Sequence, residues 1–72
     1  MKTGTYEIDS ADLARNTLGL AFVGNHKVRV SIGTTFAVGM ISEMYLKCLR
    51  IFCKHNGECV VDYKAITEIT VY

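Results

Sequence analysis

Apolar and polar positions alternate most cleanly between Lys27 and Ile32. Val28, Val30 and Ile32 face one way and Lys27, Arg29 and Ser31 the other, which is the period-2 pattern of a half-buried strand. Thr3 to Ile8 predicts a shorter strand ahead of it. Asp9 and Ser10 then offer an N-cap, because either side chain can accept a bond from an orphan backbone N–H of a first helical turn. Ala11 to Asn16 is the helix expected next, with Asp12 where the helix dipole favours negative charge and Gly19 as its stop. Leu18 to Val23 reads as a second strand. It joins the Lys27 strand through Gly24-Asn25, a two-residue hairpin turn in which Gly supplies positive φ at the first central position.

The densest apolar stretch runs from Phe36 to Cys53. Its polar residues Glu43, Lys47 and Arg50, followed by Lys54, fall at steps of four, three and four. On a helix they form one narrow solvent stripe, and Glu43 with Lys47 is an i,i+4 pair in the favourable order. Met40, Ile41, Met44, Tyr45, Cys48, Leu49, Ile51 and Phe52 fill the rest of the circumference. His55-Asn56-Gly57 reads as the C-cap, because Asn and Gly tolerate the left-handed conformation. The start is open between two readings: an N-cap at Thr34 or Thr35, or a short strand from Thr35 to Val38 with the helix beginning near Met40. Glu58 to Tyr63 and Ile66 to Tyr72 are rich in Thr, Val, Ile and Tyr and predict two last strands, with the turn at Asp62 to Ala65.

The predicted class is α+β, a single domain over residues 1–72. A small antiparallel sheet of four to five strands packs against one long helix, in the order β-α-β-β-α-β-β. The first six elements coincide with the ferredoxin-like order, but the first helix is too short to cover a sheet face.

Composition changes the picture in one respect. Half of the 72 residues are apolar, whereas a chain of this size buries only about 60% of the surface its unfolded form exposes. A helix resting on one sheet needs an apolar stripe only about 100° wide, and the Phe36–Cys53 segment exceeds it. Leu46 lies beside the polar stripe, where a monomer has no use for it. The expectation is a homo-oligomer, dimer or higher, with Tyr45, Leu46, Leu49 and Phe52 at the interface.

Net charge is +1, so bulk electrostatics selects no partner. Between His26 and His55, however, Lys27, Arg29, Lys47, Arg50 and Lys54 stand against Glu43 alone. If they share a surface, Lys47, Arg50 and Lys54 form a basic face able to attract anions. The N-terminal residues lack the apolar region of a secretory signal, and no apolar run reaches the roughly 18 residues of a membrane span. Three cysteines cannot all pair, which fits reduced thiols and a cytoplasmic location without membrane attachment.

Candidate chemistry is sparse. Gly33-Thr34-Thr35 at a helix N-terminus, with Lys27 and Arg29 nearby, could hold a phosphate-bearing small molecule or nucleotide; capping alone also explains the threonines. Cys48, Cys53, His55 and Cys59 have the spacing C-x4-C-x-H-x3-C. Cysteines five apart on a helix point about 140° from each other, so one ion is poorly served, and no metal or cofactor is expected. No triad spacing involves His26 or His55, and Asp9 with Asp12 is explained by capping. No run of basic and aromatic residues marks nucleic-acid binding, which ranks as a weak further alternative. The expected function is therefore a small non-catalytic binding protein of accessory or inhibitor type, acting as a homo-oligomer through protein–protein contacts, with a protein target among its candidate partners. A phosphate- or nucleotide-binding module is the alternative.

Overall fold

A computed structural model describes all 72 residues, Met1–Tyr72. The class is α+β, with one helix and a six-stranded antiparallel sheet. The elements are β1 (Gly4–Glu7), α1 (Ala11–Val23), β2 (Lys27–Ile32), β3 (Thr35–Met44), β4 (Cys48–Cys53), β5 (Gly57–Asp62), a 3-10 turn (Tyr63–Ala65) and β6 (Glu68–Val71). The strand order is β1-β6-β2-β3-β4-β5. β6 pairs antiparallel with both β1 and β2, so the last strand is inserted between the two that flank the helix. No helix is long and apolar enough to cross a membrane.

The N-terminal third departs from expectation after a correct start. Ser10 is the N-cap, its Oγ accepting from the Leu13 N–H at 3.1 Å. The helix does not stop at Gly19; it continues to Val23 and absorbs the expected Leu18–Val23 strand. Ala14, Thr17, Leu18 and Ala21 recur at the spacing of one helical face, and all four are buried. Burial of that face outweighs the roughly 1 kcal/mol that a mid-helix glycine costs. Gly24-Asn25 is correspondingly no hairpin. Asn25 takes the left-handed conformation at φ 57°, and the His26 and Asn25 N–H groups return to the carbonyls of Ala21 and Phe22. That pair of bonds is the Schellman ending of a helix.

The expected long helix over Phe36–Cys53 is absent; β3 and β4 form an antiparallel hairpin there. Ala37, Gly39 and Ile41 on β3, with Leu49, Ile51 and Cys53 on β4, all point to the helix side and are buried. A helix offers one seam to the core, whereas the two strands place alternate residues there along the whole segment. The 4-3-4 polar spacing has another origin. Glu43 and Arg50 face each other across the hairpin, and Lys47 and Lys54 lie in the connections before and after β4. Glu43 therefore pairs with Arg50, not Lys47. A bulge at Ser42 shifts the alternation of β3 by one residue, so Glu43, not Ser42, stands opposite Arg50 on the outer face.

Gly39 is the tightest point of this hairpin. A Cβ there would lie 1.9 Å from the Phe52 carbonyl oxygen, so no side chain fits. The remaining expected helix signals are turn signals. Gly33 (φ 62°) and Thr34 connect Ile32 to Thr35, with a positive-φ glycine at the first of two central positions, as tight hairpins prefer. His55-Asn56-Gly57 closes the β4–β5 hairpin, where Gly57 has φ 72°.

One core holds these parts together. The helix packs on the sheet and on the 3-10 turn, and Leu18, Val28, Val30, Leu49, Ile51 and Ile69 are wholly buried between the layers. Tyr63 fastens the far end. The residue is 2% exposed, its hydroxyl donates to the Tyr45 carbonyl at 2.8 Å, and its N–H donates to the Lys47 carbonyl at 3.1 Å. Burial raises the Tyr63 phenol above its ordinary value of 10.0.

Candidate functional site

The one helix lies on one side of the sheet, leaving the opposite face open. Alternation along the strands decides what that face displays. From β2 it receives Lys27 and Arg29, and from β3 Phe36, Val38 and Met40. From β4 it receives Arg50 and Phe52, and from β5 Glu58 and Val60. Phe36 is 58% exposed, Met40 41%, Phe52 56% and Val60 63%. Register brings the central ones together: Met40 is opposite Phe52, and Val60 is opposite Arg50. Phe36, Val38, Met40 and Phe52 border an open hollow with Lys27 and Lys54 on its rim.

Charges on this face are tied to neighbouring groups. The Arg29 guanidinium lies over the Phe36 ring, 4.2 Å from its centroid, a close cation–π contact. Arg50 lies 3.7 Å from Glu43 and 3.4 Å from Glu58. Tyr45 donates to Glu43 at 3.0 Å, and that hydrogen bond, more than any other influence, pushes its phenol pKa above the ordinary value. The Lys27 ammonium sits 5.8 Å from the centroid of the Tyr72 ring.

The sequence-predicted residues divide. Lys27, Arg29, Arg50 and Phe52 do reach this common face. Leu49 does not; it points inward and is wholly buried in this chain's own core. Tyr45 and Leu46 lie exposed in the β3–β4 connection, with Leu46 beside a second hollow lined by Ala11, Arg15, Lys47 and Tyr63. The basic face of Lys47, Arg50 and Lys54 does not exist, because Lys47 precedes β4 and Lys54 follows it, at opposite ends of the strand. It required a helix, and a strand spreads the same residues about 3.3 Å apart per position.

The expected anion site loses its basis as well. Gly33, Thr34 and Thr35 open no helix, so no helix dipole is aimed from them. Thr35 Oγ1 donates to the Ile32 carbonyl at 3.0 Å. The hollow beside Gly33 is lined by Glu7, Asp9 and Glu68, whose charges repel phosphate.

Cys53 and Cys59 meet on the helix side of β4 and β5, sulfur to sulfur at 3.2 Å, while Cys48 lies at the other end of β4. Burial, followed by the bond to Cys59, pushes the Cys53 thiol above its ordinary 9.0. Phe36, Met40, Glu58 and Val60 were not singled out from the sequence. The signal that could have found them is alternation on both arms of a hairpin centred near Tyr45–Lys47. Comparison with protein-family models, with curated proteins and with solved structures found no match to this chain.

Proposed function

We propose that this chain is a small non-catalytic binding protein, acting stoichiometrically and as a homo-oligomer through protein–protein contacts. Its working surface is the open face of the sheet. One observation carries the reading: a six-stranded sheet has its only helix on one side, and the other side exposes Phe36, Met40, Phe52 and Val60. Full burial of such side chains is worth about 1.5–3 kcal/mol each, and contiguous exposed apolar surface rimmed by polar groups is characteristic of association sites. Arg29 and Arg50 supply the polar rim. Three free thiols suit a reducing, cytoplasmic setting.

Native mass spectrometry of protein taken from its host tests this, because it reports subunit number and bound partner together. The expected result is a complex heavier than the 8.0 kDa chain, reduced to the single chain by Phe52→Glu. A lone 8.0 kDa species, both in fresh extract and after purification at micromolar concentration, would overturn the reading.

A further inference from the structure

Building on that reading, we propose that the open face is covered by a second copy of this chain. The copies dock sheet to sheet about a two-fold axis running along the strands between β3 and β4. Lys27, Met40, Phe52 and Glu58 are register neighbours on β2, β3, β4 and β5. Read across the sheet they are cation, apolar, apolar, anion. A two-fold rotation between Met40 and Phe52 lays this row on its own reverse. Lys27 then faces Glu58 of the second copy, and Met40 faces Phe52 of the second copy. Glu43 and Arg50, also paired in register, stand on either side of the same axis and exchange places under it.

A face of one sign selects a partner of the other sign. The Lys27–Glu58 row and the Glu43–Arg50 pair carry both signs in mirrored order about an apolar centre, which is what an isologous contact requires. The dimensions agree. Strands about 4.8 Å apart place Lys27 and Glu58 roughly 7 Å from the axis. The crossing of about 30° usual for aligned sheets displaces facing residues there by roughly 4 Å, within reach of a Lys and a Glu side chain. A standard interface takes about 800 Å² from each partner, about a sixth of this chain's 4610 Å² surface.

Sedimentation equilibrium from about 1 to 500 µM tests the arrangement, with circular dichroism confirming the fold of each variant. The wild type should reach twice 8.0 kDa and stop there. Lys27→Glu and Glu58→Lys should each weaken the dimer by about tenfold or more, through like charges brought face to face. The double variant should bind more tightly than either single one, falling short of wild type only by what Glu58→Lys loses beside Arg50 of its own chain. A wild type fixed at 8.0 kDa throughout overturns the proposal. So does growth past the dimer, which would mean a head-to-tail contact, for instance from exposed Leu20 and Val23 on the helix. Phe52→Glu separates this proposal from the broader reading. A dimer indifferent to the charge reversals but lost with Phe52→Glu overturns the axis and keeps the face. A complex that survives Phe52→Glu overturns the face itself.

Discussion

The two faces of the β3–β4 hairpin carry similar amounts of apolar material and have opposite fates. On the helix side, Ala37, Ile41, Leu49, Ile51 and Cys53 are buried. On the open side, Phe36, Met40 and Phe52 keep between 41% and 58% of their surface in water. Residues adjacent in the chain, such as Ile51 and Phe52, therefore do different work. The helix-side set holds one chain together, and the open-side set is available to something outside it. Hydrophobicity alone does not distinguish a core residue from an exposed one; strand phase relative to the single helix does.

Truncation should separate the faces most sharply. Leu49→Ala removes a wholly buried side chain, so it should cost about 2–5 kcal/mol of unfolding free energy. Phe52→Ala, three positions on, should change the stability of dilute protein by only about 0.5 kcal/mol, as exposed substitutions usually do. Urea unfolding at low concentration checks both; equal costs would erase the distinction between the faces.

Gly39→Ala probes the line where the two strands approach most closely. The added methyl meets the Phe52 carbonyl, and the backbone must spread to admit it, at about 1–3 kcal/mol or more. The same shift disturbs the open face through Phe52, so weaker association should accompany the lost stability. A variant with a wild-type unfolding midpoint would show that the strands are not so closely apposed.

Alkaline pH gives a smaller and more selective effect on the helix side. Cys53 and Tyr63 are held by burial above their ordinary values of 9.0 and 10.0. The fold thus favours their neutral forms, while the unfolded chain ionises at the ordinary values. Their contribution is complete below about pH 9, and it is lost as pH rises through the raised native values. Urea midpoints should fall between pH 8 and 10.5, and Cys53→Ala should flatten the early part of the fall. A midpoint constant over that range would contradict burial of both groups.

Legibility in the sequence followed the range of the forces involved. Ser10 as N-cap, β1, β2, β5 and β6 were readable because capping and alternation act over a few residues. The Phe36–Cys53 segment was not. A hairpin whose polar residues fall at positions 43, 47, 50 and 54 is indistinguishable by that spacing from an amphipathic helix. Gly24-Asn25 carried the same ambiguity, since left-handed residues end helices as well as turn hairpins. The site was half visible for this reason. Lys27, Arg29, Arg50 and Phe52 were noticed for charge or size, whereas Phe36, Met40, Glu58 and Val60 join them only through register.

By itself the sequence determined a small α+β chain with more apolar surface than one copy readily hides, together with the elements whose local signals were unambiguous. Tertiary structure decided which apolar residues are the surplus. The reason is that burial depends on what lies opposite a residue. Inserting β6 between β1 and β2 and laying α1 across one side set which face of every strand was covered.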